Sequence, residues 1–166
     1  MPVRRHPVAN SLTATPLDRL PVDESLVDRL KATYSRVRVH DQEFARSFYA
    51  KLFAAAPQLR AMFRSDPASQ ALKLTAALDS VVQNLERPGE NAAMLAGLGC
   101  RHAQYGARPE HYELVVALLV ESMQEILRTS SDDPSILEWR MALRLIADQM
   151  IAASGSAPVA RSARDR

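Results

Sequence analysis

"GCRHAQYGARPEHYELV", residues 99–115, sets His102 and Tyr112 ten positions apart on either side of a helix break. The residues themselves mark the break. Gly106 suits the left-handed position that ends a helix, and Pro109 followed by Glu110 suits the first turn of the next. Before the break, Leu95, Leu98 and His102 share one helix face at i, i+3 and i+7. After it, Tyr112, Val115, Leu119, Met123 and Ile126 form an inward stripe. A histidine on an apolar face is ordinarily a hydrogen-bonded core residue, and such a residue has no need of a tyrosine returned beneath it by the following helix.

The same helical period extends in both directions from this segment. Leu26, Leu30 and Val37 predict a first helix, capped by Asp23 or Ser25 and ending near Val39. Asp41 is a candidate cap for a second, in which Phe44, Phe48 and Leu52 form one stripe and Ala45, Tyr49 and Phe53 the adjoining one. Pro57 opens a short helical turn, "PQLRAMF". A helix over about 67–86 follows "RSDP", with Gln70, Leu74, Ala77, Leu78, Val81 and Leu85 facing inward. "RPGE" breaks the chain before a helix over 91–105, and "TSSDDP" leads to a last helix ending near Ala153, with Trp139, Leu143, Ile146 and Met150 aligned. The expectation is an all-α fold of six to seven helices with no strand and no internal repeat.

The 166 residues suit one domain, expected over 23–153 and flanked by disordered segments, 1–22 and 154–166, that lack any period able to bury a face. The net charge of +2 is carried by these flanks, each with three Arg against one Asp, which leaves the body at about −2. No stripe of cations interleaved with aromatics marks a nucleic-acid surface. No apolar run reaches a bilayer span, and the N-terminal arginines precede no apolar signal core, so a cytoplasmic protein is expected. The lone Cys100 agrees with a reducing compartment and cannot build a thiolate metal site. His6, His40, His102 and His111 show no paired metal-ligand spacing, which argues against zinc. Neither a G-x-S-x-G turn nor a Gly-rich phosphate loop is present.

Three polar residues remain on inward stripes: Tyr49, Gln70 and His102. Buried polar groups need partners, and three in one small core call for a common explanation. A haem would provide one, because the porphyrin brings four nitrogen ligands and the protein need add only one imidazole.

Together, "FYAKLFAAAPQLRAMF", "SQALKL", "LGCRHAQYGARPEHYELV" and "EWRMALRLIADQM" resemble the bacterial single-domain globins and the globin domain of flavohaemoglobins, over about residues 24–152. The resemblance implies a globin fold holding haem b (iron protoporphyrin IX). It implies that His102 is the proximal iron ligand, that Phe63 wedges against the porphyrin and that Tyr49 and Gln70 are the distal tyrosine and glutamine. Leu74 would be the apolar residue shaping the ligand pocket, and Tyr112 the tyrosine that contacts the proximal histidine. Lys73 and Arg101, beside Gln70 and His102, could pair with the haem propionates or simply be solvated.

In that family Tyr112's counterpart works with a glutamate on the last helix. The corresponding position here falls near Ser154, so the full proximal triad is not expected. The loop between Phe63 and Gln70 is short, and no flavin- and NAD-binding reductase follows within these residues. The resemblance therefore implies reversible binding of O2, NO and CO at the haem. It also implies conversion of NO to nitrate when an external reductase is supplied. A different class of function, a gas or redox sensor acting through a partner protein, would use the basic flanks as a docking element.

Overall fold

The structure, a computed structural model, describes residues 24–155; Asp23, His6 and nearly all of both flanks lie outside this range. Six α-helices run in the order α1 (Glu24–Arg38), α2 (Asp41–Ala55), α3 (Pro67–Gln83), α4 (Pro88–Gln104), α5 (Pro109–Leu127) and α6 (Pro134–Gly155), with a 3-10 helix, Pro57–Met62, between α2 and α3. The described residues contain no strand, in agreement with the all-α expectation.

Local chemistry accounts for most of the boundaries. Four of the six α-helices, and the 3-10 helix, begin at a proline, whose fixed φ suits the first turn and whose missing N–H would have no helical partner there. Asp66 caps α3, its carboxylate accepting from Ser69 N–H at 3.0 Å. Several boundaries differ from the sequence reading: Ser25 lies inside α1 and not at its cap, and α3 ends at Gln83, short of the expected 86. The cap position of α2 is His40, while Asp41 lies in the first turn, where its negative charge favours the positive helix end. "RPGE" does not delay α4 to Asn91: Pro88 is its first residue and Glu90 lies in its first turn.

A shared core joins α1, α2, α5 and α6 around Phe44, Phe48, Leu52, Val120, Met123, Ile136 and Trp139, all buried. The dominant pairings are α4 on α6, α2 on α5 and α5 on α6, whereas α3 packs on α1 and α2. α3 and α4 make little or no direct contact with each other, although both carry half-buried apolar side chains: Leu74 on α3, and Met94 and Leu98 on α4. A polar network ties α3 to α1, with Asp79 accepting from Tyr34 Oη at 2.9 Å and Arg38 Nε at 2.8 Å.

Two glycines fix α4. A Cβ on Gly99 would lie 2.8 Å from Met150 Cα, so the missing side chain lets α4 rest directly on the α6 backbone. Gly106 ends the helix at φ +93°, a conformation that a side chain disfavours. With it, Ala107 N–H bonds His102 O at 2.9 Å and Gly106 N–H bonds Ala103 O at 3.0 Å, the two hydrogen bonds of a Schellman end.

Gly99→Ala is expected to push α4 off α6 and lower unfolding stability by about 1 to 3 kcal/mol, the usual cost of overpacking a tight contact. Urea titration of the variant beside the parent chain measures this.

Candidate functional site

His102 lies in the last turn of α4, half-buried. Its Nδ1 is 2.9 Å from the carbonyl oxygen of Leu98, one turn earlier. A carbonyl can only accept, so Nδ1 carries the proton and donates, and Nε2 keeps its lone pair for another partner. Burial lowers the His102 pKa; the bond to Leu98 opposes the shift and nearby Arg101 adds to it, so the neutral imidazole is favoured.

Tyr112, in the first turn of α5, places its ring against His102 with centroids 6.3 Å apart and planes tilted by 38°. The pair predicted from sequence is therefore adjacent. The Tyr112 hydroxyl is buried, burial raises its pKa, and it finds no hydrogen-bond partner among the described residues. Ser154, near which the family's glutamate would fall, directs its hydroxyl to Ile151 O at 2.7 Å instead. His111 has an ordinary structural role, its Nδ1 accepting from Arg108 N–H at 3.2 Å at the start of α5.

The second group of residues gathers on α2, the 3-10 helix and α3. The Tyr49 ring meets Phe48 at 5.0 Å, Phe63 at 5.6 Å and Phe53 at 5.8 Å, and Phe53 meets Phe63 at 5.3 Å. Arg60 lies over the Phe53 ring, 4.5 Å from its centroid. The Tyr49 hydroxyl donates to the backbone carbonyl of Gln70 at 3.3 Å, and burial pushes its pKa up to about 12. Tyr49, Phe63 and Gln70 line one cleft of about 640 Å³ between α2 and α3. Leu74 is half-buried one turn beyond Gln70.

Lys73 and Arg101 are both exposed, and Lys73 donates to Ser65 Oγ at 2.7 Å. The corner holding Phe63 and the corner after His102 approach each other, since Met62 Cε lies 3.8 Å from where a Gly106 side chain would begin. Among the described residues no three His, Cys, Asp or Glu side chains are grouped to hold a metal ion, and no helix is long and apolar enough to cross a membrane.

The sequence places Phe53 on the stripe with Tyr49 but assigns no role to it, to the Leu98 carbonyl or to Gly99. The aromatic at i+4 from Tyr49 and the glycine at i−3 from His102 were the available signals.

A single imidazole held with Nε2 open, a tyrosine against it and an aromatic group on α2 and at the end of the 3-10 helix, within six α-helices, point to a globin-type helical protein. Residues 46–150 match the globin family, and the chain belongs to it. It is 31% identical over 124 residues to a flavohemoprotein of Rhizobium meliloti, covering 73% of this chain and 31% of that one. It is 27% identical over 139 residues to a flavohemoprotein of Bordetella pertussis, covering 82% and 35%. The chain thus spans about a third of the length of these relatives. A bacterial globin from Campylobacter jejuni has the same fold, with a TM-score of 0.70 at 20% identity over 80% of this chain and 96% of that one.

The depressed His102 pKa sets a pH dependence for the chain prepared without cofactor. The unfolded chain binds the proton near pH 6.5, the folded chain only at lower pH, so stability falls as pH drops through that window. His102→Gln should flatten this acid limb relative to the parent in urea titrations between pH 7 and about 4.5. Parallel limbs would contradict the assignment.

Proposed function

We propose that the chain is a haem-binding globin that takes up O2, NO and CO reversibly, and that it oxidises NO to nitrate when an external reductase is supplied. The observation that carries this reading is the His102 tautomer: Nδ1–H is bonded to Leu98 O and Nε2 is left as the available donor. The surroundings fit a haem. α3 and α4 scarcely touch, and each carries half-buried apolar side chains that a flat apolar group between them would cover. The buried Tyr112 hydroxyl, without a partner among the described residues, lies on a ring beside His102.

Haem b, when bound, supplies an iron centre that takes up diatomic ligands and can couple NO with O2. His102 Nε2 would hold the iron, Phe63 and Leu74 would pack on the macrocycle, and Lys73 and Arg101 would serve the propionates. Tyr112 would fix the plane of the imidazole. With no carboxylate among the identified contacts of the Tyr112–His102 pair, the imidazole is a neutral donor whose basicity is set by the Leu98 carbonyl. On the distal side, the Tyr49 hydroxyl and the Gln70 amide would donate to the polarised ligand. Each such bond in a dry pocket contributes about 1 to 3 kcal/mol. Tyr49 is held ready on the Gln70 carbonyl by a long hydrogen bond and has only to rotate.

Conversion of NO and O2 to one nitrate consumes one electron, so repeated turnover requires the external reductase. The chain purified with haem available should show a Soret band and a reversible O2 complex. Tyr49→Phe keeps the ring contacts and removes only the donor, and it should speed O2 dissociation by about tenfold or more. An unchanged rate would remove Tyr49 from the distal role. With O2 and a reductase supplied, NO consumption should continue beyond one equivalent; a single turnover would leave ligand binding alone.

A further inference from the structure

The cleft beside Tyr49 shares Tyr49, Phe63 and Gln70 with the proposed haem pocket and extends outward from them over helix faces that the haem would not cover. On α2 its wall is Gln42, Arg46, Tyr49 and Phe53, spaced by four, three and four residues. On α3 it includes Ala68, Ala71, Leu72 and Thr75, centred more than a quarter-turn around the helix from the stripe of Gln70, Leu74 and Ala77, with Gln70 itself at the inner end. Gln42, Arg46, Ala50, Ala68 and Leu72 are exposed, whereas Tyr49, Phe63 and Gln70 are half-buried, so the cleft runs from solvent inward to the two polar distal candidates. Leu72, 63% exposed, is otherwise an unexplained large apolar residue on the surface; here it forms part of the outer wall.

We propose that this cleft is the path by which diatomic ligands reach the distal side, passing between α2 and α3 with the Tyr49–Gln70 hydrogen bond as the last barrier. The proposal rests on the haem reading above and adds where ligands enter. The chemistry favours small uncharged molecules. The inner wall is Phe53, Ala71 and Phe63, and the Tyr49 hydroxyl is already paired. Arg60, Ser65, Gln70 and Thr75 also line the cleft and can hold water, which needs two to four polar partners, while O2, NO and CO need none and can pass along the apolar wall. The barrier is also weak: at 3.3 Å the hydroxyl-to-carbonyl contact is longer than the usual O–H···O distance of about 2.7 to 2.8 Å.

A blocked path can be told from an altered binding site. Changed contacts with a bound ligand act mainly on dissociation, whereas a narrowed path slows arrival and escape by the same factor and leaves the equilibrium constant alone. Ala50→Trp and, separately, Ala68→Trp place a large ring in the cleft from positions the core does not use. In the haem-loaded chain each should lower the CO association and dissociation rate constants together, by about tenfold, with their ratio unchanged. Crystals of the parent chain pressurised with xenon should hold xenon against Phe53 and Ala71, and those of the variants should not. Parental rates in both variants, or a change in the ratio of the two constants, would overturn the path. A parent chain with no Soret band would instead fail the haem reading, and the path with it.

Discussion

The hydrogen bond from His102 Nδ1–H to the Leu98 carbonyl is the interaction on which the rest of the site depends. It joins one turn of a helix to itself, so α4 supplies its acceptor, and it selects the tautomer that leaves Nε2 free. Without it a half-buried imidazole could present either nitrogen. What fixes the bond in space is the placement of α4, and two residues without side chains govern that. Gly99 lets the helix lie on the Met150 backbone, and Gly106 closes it with a carbonyl of His102 itself engaged by Ala107. The orientation of one donor atom therefore traces back to two contacts three and four residues away in sequence.

The opposite side is built differently. Tyr49 and Phe63 belong to an aromatic cluster that also includes Phe48 and Phe53, so the tyrosine ring is fixed while its hydroxyl keeps one rotatable bond. The hydroxyl rests on a backbone carbonyl of α3, not on a side chain. This links the position of α3 to the state of the proposed distal donor: a shift that lengthens the contact frees the hydroxyl, and one that shortens it holds the hydroxyl back. On the proximal side the unpartnered Tyr112 hydroxyl, with Ser154 turned to its own helix, leaves His102 without a negative neighbour among its identified contacts. In the proposed function, such a neutral imidazole would suit reversible ligand binding at least as well as oxidation.

Much of this is legible in the sequence because it is local. The 3.6-residue period of Leu95, Leu98 and His102 marks the face, Gly106 and Pro109 mark the corner, and the three polar residues on apolar stripes stand out because burial demands a reason. The differences arise where several local signals compete. Asp41 has the chemistry of a cap, but the chain turns one residue earlier at His40, and the proline in "RPGE" starts a helix where a break is expected. Periodicity names a face but not the element it meets. That is why the close approach at Gly99, the Phe53 contact and the cleft between α2 and α3 are not legible: each depends on which helices pack together and at what separation.

The proposed function requires His102 Nε2 to hold a haem iron. The most direct measurement is the absorption spectrum of His102→Gly, prepared with haem, before and after addition of imidazole. The expected result is a Soret band in the parent chain, its loss or displacement in the variant, and its return when free imidazole fills the space the side chain has left. A variant spectrum identical to that of the parent, or a displaced band that imidazole does not move, would contradict the claim.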